Sequence, residues 1–169
     1  MSRALVDTAD SGAAPLARLY GRFIEKAGGI NIATALVPGP SGTINLEYLL
    51  AQQPDVYIAT AIGSAASAAK APRRVALGAD VRPDLARETL AHATSRPGIA
   101  DLDAIRSGRA HAIWHHFYNS PFNVAAVQAF AKWFHPALFA DVDPNETLRT
   151  LYQRFQPVAP AGTYWIDLR

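Results

Sequence analysis

The sequence predicts an α/β fold, a three-layer sandwich with a mostly parallel central sheet of about four or five strands. Three apolar runs without polar alternation, at 56–59, 75–77 and 111–114, are typical of strands covered on both faces. Segments with apolar residues at helical spacing separate these runs, and strands that alternate with helices favour parallel pairing. The 169 residues contain no repeat and no low-complexity linker, so we expect a single domain over 1–169.

The first part of the chain predicts a strand, a helix and a loop. Residues 4–6 form a short apolar run that indicates the strand. Pro15 fits an early helical position, and apolar residues recur at helical spacing over 16–27 until a Gly-Gly pair ends the helix. Two prolines and two glycines between 37 and 42 indicate the loop.

A short helix, two strands and a longer helix are predicted next. Thr43 is expected to cap the short helix, which continues through Leu50 and ends before Pro54. The apolar runs at 56–59 and 75–77 are the two strands. Pro83 opens the longer helix, and its inward face is predicted to contain Leu85, Ala86, Leu90 and Ala93.

The last third of the chain predicts three helices around one strand. A short helix over 101–107 precedes the strand at 111–114. A second helix follows Pro121, with an apolar stripe of Phe122, Ala126, Ala129, Phe130 and Trp133.

The final helix has the clearest start signals in the sequence. Asp143 is a capping residue, Pro144 occupies the first helical position and Glu146 the third. We expect the tail at 157–169 to pack back on the body. The predicted buried face of the helix contains Leu148, Leu151, Tyr152 and Phe155.

Composition and charge exclude several classes of function. The net charge of +2 comes from scattered arginines without a block of like charge, so we expect no nucleic-acid or membrane-surface partner. Without cysteine the chain has no disulfide and no thiolate metal site. Glycine-rich phosphate loops, GxSxG elbows and HExxH pairs are absent, so we predict no cofactor and no enzymatic activity. The first residues lack the apolar core of a signal peptide.

A candidate ligand site follows the third apolar run. His115, His116, Tyr118 and Asn119 come directly after it, and ligands of open α/β sheets bind at the carboxyl ends of strands. Adjacent histidines point in different directions, and a closed metal site needs three or four converging ligands, so we predict no metal site here. The alternative interpretation is that Asn119 and its neighbour Ser120 only cap the next helix.

Several motifs together resemble the C-terminal lobe of ABC-transporter solute-binding proteins for ferric siderophores, haem and cobalamin. Their order and spacing agree with that family over about residues 16 to 157. The motifs are AGGINIA at 27–33, NLEYLL at 45–50, PDVYIA at 54–59, RPG at 96–98, DAIRSGRAHAI at 103–113, FYNSPFN at 117–123 and WFHP at 133–136.

The resemblance implies a periplasmic carrier that holds an iron chelate in a cleft between two lobes and docks on an ABC permease of the inner membrane. Glu47 matches the family's acidic residue that pairs with permease arginines, although an acid in a first helical turn is also favoured by the helix dipole. For Gly42 and Gly63, which the resemblance places at the ligand cleft, the alternative explanation is that only the turn geometry requires glycine. The implied ligand-binding residues are Ser41, Gly42, Gly63, Ser64, His115, His116, Tyr118 and Asn119.

The sequence departs from the resembled family in one respect. A complete member has an N-terminal lobe, a linking helix and an export signal or lipoprotein cysteine, and we find none of these here. We therefore expect a half-protein that binds its ligand weakly and self-associates through bare apolar surface. If the sheet is parallel, residues 63–64 and 115–119 should gather at one edge, near Ser41.

Two other functions are compatible with the sequence. A molybdate or tungstate carrier of the same fold would use His115 or His116 together with backbone amides at a helix start. A metal-dependent hydrolase would need carboxylates to converge on the histidines, and the candidates are Asp80, Asp101 and Asp103.

Overall fold

The computed structural model describes residues 1–7, 15–17, 20–34, 36, 37, 41–71 and 74–169. Within these ranges, seven strands form one sheet. The strands are β1 (Arg3–Asp7), β2 (Pro15–Ala17), β3 (Ile30–Asn31), β4 (Ser41–Thr43), β5 (Val56–Ala61), β6 (Ala110–Trp114) and β7 (Trp165–Asp167). The helices are α1 (Gly21–Lys26), α2 (Leu46–Gln52), α3 (Ala65–Lys70), α4 (Pro83–Thr94), α5 (Asp103–Arg106), α6 (Asn123–Phe134) and α7 (Pro144–Phe155), with a 3-10 helix at His115–Asn119.

The centre of the sheet is parallel and its sides are antiparallel. The strand order is β4-β2-β1-β5-β6-β7, and β3 lies beside the first half of β1. β1, β5 and β6 run in the same direction, whereas β2, β4 and β7 join through antiparallel pairs. The predicted α/β fold with its parallel centre is confirmed, and the antiparallel strands extend it on both sides.

Alternate residues of the central strands face two separate hydrophobic cores. Leu5, Tyr57 and Ala59 face the core that also contains residues of α2, α4 and α5. On the other side, Val6 and Ile58 face the core formed with α1, α6 and α7. Because both faces are covered by helices, the central strands need no polar alternation. The predicted three layers are confirmed.

Local capping signals determine where two helices begin. Asp143 accepts a 2.9 Å hydrogen bond from the Asn145 amide, and Pro144 occupies the first helical position, as predicted. The cap of α2 is Asn45, whose side-chain oxygen accepts a 2.7 Å bond from the Glu47 amide. The prediction that Thr43 caps this helix is therefore wrong, because Thr43 pairs with Pro15 as the last residue of β4.

The first helix is shorter than the apolar spacing predicted. Residues 15–17 form β2, and α1 begins only at Gly21. Residues 18 and 19 lie outside the described part of the chain. Pairing of Leu16 with both Asp7 and Gly42 holds this segment extended, so tertiary contacts override its helical spacing. Of the loop predicted at 37–42, Ser41 and Gly42 belong to β4, and 38–40 are outside the described residues.

The apolar run at 75–77 is buried but is not a strand of the sheet. Leu77 accepts a hydrogen bond from the Gly63 amide, and the Ala76 amide donates to the hydroxyl of Thr89. Its apolar character reflects burial between a loop and α4, which a continuous apolar run cannot distinguish from a strand. The strand prediction at 75–77 is therefore wrong.

The tail supplies a strand that the sequence did not indicate. Trp165–Asp167 forms β7 beside β6, and Gly78 makes a bridge to Thr163, so the tail packs on the body as predicted. Phe155, predicted to be buried, is 68% exposed at the end of α7. No helix of the described residues is long and apolar enough to cross a membrane.

Candidate ligand-binding site

The carboxyl ends of β5 and β6 bring two of the predicted segments side by side. Ala61 and Trp114 are register partners at the ends of these parallel strands. Residues 62–64 and 115–119 therefore leave the sheet at the same edge, about 5 Å apart at their origin. Gly63 and Ser64 thus follow β5 at the same end of the sheet at which the segment with the two histidines, Tyr118 and Asn119 follows β6.

Ser41 and Gly42 lie farther along this edge of the sheet. Gly42 pairs with Leu16, Leu16 with Asp7, and Asp7 with Ala59, so one row of residues crosses from β4 to β5. Three strand spacings correspond to about 14 Å. Gly42 therefore lies level with Ala59 along the strand direction, but three strands away from β5, so it does not belong to the group formed by 62–64 and 115–119.

A buried tyrosine holds the 3-10 helix that carries the histidines. The Tyr20 hydroxyl lies 2.7 Å from the carbonyl oxygens of both Trp114 and His115. Burial raises the pKa of Tyr20 well above its usual range, so the phenol remains a neutral donor. Phe117, in the same 3-10 helix, is almost completely buried in the core. The segment is thereby fixed at both its start and its middle.

The side chains that flank Phe117 are partly open to solvent. His115 and Tyr118 are in edge contact with ring centroids 5.3 Å apart, and His116 lies 5.2 Å from the Trp114 ring. Partial burial, together with the neighbouring His116, lowers the pKa of His115 below its usual range. At neutral pH His115 therefore offers a neutral imidazole, which can donate one hydrogen bond and accept another.

Gly63 and Ser64 use most of their polar groups within the protein. The Gly63 amide donates to the Leu77 carbonyl, and Ser64 and Ser67 form a reciprocal capping box at the start of α3. Asp80 accepts a 3.2 Å hydrogen bond from the Ala65 amide at the same helix start. A carboxylate already occupies this position, so the start of α3 is not available to a bound oxyanion.

A cavity in the described part of the chain adjoins Tyr118. Its volume is about 560 Å³, and it lies between α1, α6 and the turn after β3. Among the described lining residues, Tyr118 is the one predicted site residue. The lining residues are Gly21, Arg22, Phe23, Glu25, Lys26, Asn31, Thr34, Tyr118, Asn123 and Val127.

Sequence reasoning missed the charged wall of this cavity. Arg22, Glu25 and Lys26 lie at i, i+3 and i+4, so they share the face of α1 that is turned away from its buried Phe23 and Ile24. A helical-face comparison could have identified these residues, but nothing in the sequence indicated that Tyr118 lies beside them.

The hydrolase interpretation lacks a converging set of carboxylates. In the described part of the chain, no group of three or more His, Asp or Glu side chains could hold a metal ion. Asp103 is paired with Arg106, and its amide donates a 2.8 Å hydrogen bond to the side-chain oxygen of Gln53, which lies just before β5. Asp103 is therefore near the amino ends of the parallel strands, whereas the histidines follow the carboxyl end of β6.

Comparison with known proteins gives matches at the level of structure. No protein-family model and no curated protein sequence matches the chain significantly. The TroA-like periplasmic binding protein FepB from Veillonella parvula aligns with a TM-score of 0.88 and 23% identity, over 99% of this chain and 49% of that protein.

Two further solved structures align less closely. CeuE from Helicobacter pylori, solved as a nickel–histidine complex, has a TM-score of 0.64 and 16% identity, covering 90% of this chain and 43% of CeuE. The molybdate periplasmic binding protein MolA from Haemophilus influenzae has a TM-score of 0.64 and 20% identity, covering 95% and 44%. This chain thus spans about half the length of the structures it matches, and it has the fold of a single lobe of TroA-like periplasmic binding proteins.

Proposed function

We propose that this chain is the C-terminal lobe of the periplasmic solute-binding component of an ABC importer, with a ferric siderophore or a related iron complex as its ligand. The observation that carries the proposal is the alignment of 99% of the chain with 49% of FepB at a TM-score of 0.88. In the family that the sequence resembles, such a half forms one wall of a cleft. The chain therefore presents one wall of a ligand site and is a carrier, not an enzyme.

The edge formed by 62–64 and 115–119 supports a bulky, hydrogen-bonding ligand. Tyr118, His115 and His116 present partly exposed rings there, and Asn119 adds an exposed amide. Aromatic surface with a few neutral polar groups can hold a large chelate without reacting with it. Since Tyr118 also lines the 560 Å³ cavity, the ligand surface continues from this edge toward α1.

The position of Glu47 supports docking on the permease. Gln52, at the other end of α2, accepts a 2.7 Å hydrogen bond from Arg3 at the start of β1. The first turn of α2 is therefore directed toward the carboxyl ends of the strands. Residues 62–64 and 115–119 lie at this end of the sheet and form what we call the ligand edge. Glu47 is exposed there and forms no ion pair with a described residue, so its carboxylate is accessible to a permease arginine.

Self-association of this lobe is also part of the proposal. Ile62, which follows β5, is 56% exposed, and Val124 at the start of α6 is 43% exposed. Both are close in sequence to the segments that form the ligand edge. Apolar side chains at a surface that another lobe would cover favour contacts between copies at high concentration, which light scattering would detect.

Ligand titration of the chain tests the proposed ligand class. Trp114 lies 5.2 Å from His116, so quenching of tryptophan fluorescence should report a ferric trihydroxamate bound at this edge. We expect weak binding, with a Kd on the order of 0.1–1 mM, because one wall leaves the ligand half exposed. Molybdate is titrated separately as the comparison ligand. Saturable binding of molybdate without binding of the ferric complex would overturn the proposal in favour of an oxyanion carrier.

Substitutions separate the ligand edge from the docking surface. Tyr118→Ala and His116→Ala should each weaken binding of the ferric complex about three- to tenfold. Tyr118→Phe should retain most of the affinity if the ring supplies the contact. In the protein completed by an N-terminal lobe, Glu47→Ala should leave the Kd unchanged and reduce transport, with the exposed Glu88→Ala as control. If Glu47→Ala abolished binding of the ferric complex while Tyr118→Ala and His116→Ala had no effect, these assignments would be overturned.

A further inference from the structure

The outer edge of β7 is an open side of the sheet. β7 is the last strand in the order, and no other strand of the described residues lies beyond it. Residues 165–167 pair with 111–113 on the inner side. An unpaired edge presents a row of backbone N–H and C=O groups that can accept a further strand.

The register shows which backbone groups point outward. The Trp114 amide donates to the Tyr164 carbonyl at 2.7 Å, and the Leu168 amide donates to the Ala110 carbonyl at 2.9 Å. In an antiparallel pair, alternate residues direct their backbone groups toward the partner strand. Residues 164, 166 and 168 therefore face β6, and Trp165 and Asp167 direct their N–H and C=O groups toward the open edge.

Two helices convert this open edge into a groove. A cavity of about 440 Å³ extends along β7, with α4 on one side and α7 on the other. The backbone edge of β7 lines this groove and can receive a strand at the usual spacing of about 5 Å. The lining residues are Pro83, Arg87, Asn145, Leu148, Arg149, Pro160, Arg169 and 162–167.

The groove is positively charged. Arg87 contributes from α4, Arg149 from α7 and Arg169 from beyond β7, whereas Asp167 is the one acidic residue among the described lining residues. Asp167 is bonded inward, because a single carboxylate oxygen contacts His111 at 2.7 Å and the Trp133 indole N–H at 2.8 Å. Arg149 also pairs with Glu146, which lies on α7 outside the lining. Three arginines against one carboxylate leave the described lining with a net positive charge, although Asp167 also interacts with Arg87.

We propose that the β7 edge is a docking site for an extended acidic peptide segment of another protein, which adds to the sheet as an additional strand. Neighbouring residues of an added strand point to opposite faces, so acidic side chains can reach Arg87 on the α4 side and Arg149 on the α7 side. A second copy of this chain would bring its own arginines against these, and like charges oppose that pairing. The groove follows the open side of β7, whereas the ligand edge lies at the carboxyl ends of β5 and β6, and the docking proposal does not depend on the proposed transport function.

The test uses a fluorescent ten-residue peptide in which valine and threonine alternate with aspartate and glutamate. Anisotropy titration of the 169-residue chain should give saturable binding that weakens as salt is raised. Two control peptides separate the contributions: one replaces each acid by its amide, and one is N-methylated at alternate residues to block strand pairing. Each control should bind at least about fivefold more weakly.

Hydrogen exchange locates the bound peptide on the strand. The Trp165 and Asp167 amides should exchange more slowly when peptide is added, whereas the Ile166 amide, already directed at β6, should change little. Arg87→Gln and Arg149→Gln should each weaken binding about threefold, and the exposed Arg106→Gln on α5 should not.

Three results would overturn the proposal. The first is no binding at millimolar peptide. The second is equal affinity for the N-methylated peptide, which would indicate charge attraction without strand addition. The third is protection of Trp165 and Asp167 that rises with protein concentration in the absence of peptide, since this would identify a second copy as the occupant of the groove.

Discussion

The Tyr20 hydroxyl lies 2.7 Å from the carbonyl oxygen of His115, although the two residues are 95 positions apart in the chain. Tyr20 precedes α1, and His115 begins the 3-10 helix at the end of β6. The bond connects the helix layer on one face of the sheet to the segment that carries half of the proposed ligand residues. The geometry of the ligand edge therefore depends on packing that is remote in sequence.

Removing this hydroxyl should loosen the ligand edge. Tyr20→Phe leaves the carbonyls of Trp114 and His115 without their donor, and we expect the free energy of unfolding to fall by about 1–2 kcal/mol. Urea denaturation measures the loss, and amide exchange over 115–119 should become faster. Tyr48→Phe is the control, because the Tyr48 hydroxyl has no hydrogen bond to a described residue. Equal effects of the two substitutions would contradict the anchoring role.

The buried ion pair between Arg96 and Asp7 should matter far more than an exposed pair. Arg96 lies 2.6 Å from the Asp7 carboxylate, which also accepts a 2.6 Å bond from the Tyr57 hydroxyl. Arg96→Met breaks its ion pair with a fully buried carboxylate and should cost about 3–5 kcal/mol. The control Arg82→Met breaks an exposed pair with Asp84 and should cost less than about 1 kcal/mol. Thermal and urea denaturation of both variants would show whether burial makes this difference.

Acidification should destabilise the protein through His111. Burial lowers the pKa of His111, although the neighbouring Asp167 carboxylate acts in the opposite direction. The unfolded chain then binds the proton more tightly than the folded protein. Stability is therefore complete above the ordinary histidine pKa of about 6.5 and is lost as the pH falls toward the lower folded value.

Urea denaturation at a series of pH values measures this dependence. The series starts above the ordinary histidine pKa of about 6.5 and extends roughly two pH units below it. His111→Gln should flatten the dependence. His115, whose pKa is also lowered, contributes with the same sign and accounts for part of the remaining slope. An increase in stability on acidification would show that the Asp167 charge outweighs burial.

Gly162 should tolerate substitution much less well than Gly108. Both have left-handed backbone, with φ of +80° and +76°. A Cβ on Gly162 would lie 2.1 Å from the Gly78 carbonyl oxygen, whereas a Cβ on Gly108 would meet only the flexible Arg169 side chain at 3.1 Å. Gly108→Ala should cost about 1 kcal/mol. Gly162→Ala should cost about 2 kcal/mol more, because the bridge between Gly78 and Thr163 must move. Similar losses in the two variants would contradict the close approach.

Local sequence was sufficient where a residue's environment follows from its own segment. The strands at 56–61 and 110–114 could be predicted because their residues are mostly apolar and nearly all buried, with helices covering both faces. The start of α7 was predictable because Asp143 and Pro144 act on adjacent backbone groups. The composition of 115–119 was sufficient to predict a ligand-binding segment, and its functional role remains a prediction.

The tertiary structure alone decided which apolar segments became strands and which polar residues became neighbours. The run at 75–77 and the segment 165–167 have similar apolar content, yet only the second finds an unpaired partner, the free side of β6. Tyr118 joins the wall formed by α1 because the order of strands places α1 and α6 on the same face of the sheet. Strand pairing and helix packing are contacts between distant segments, so the amino-acid sequence of one segment does not identify its partner. Hydrophobic patterning and helix capping, by contrast, depend on residues within the segment itself.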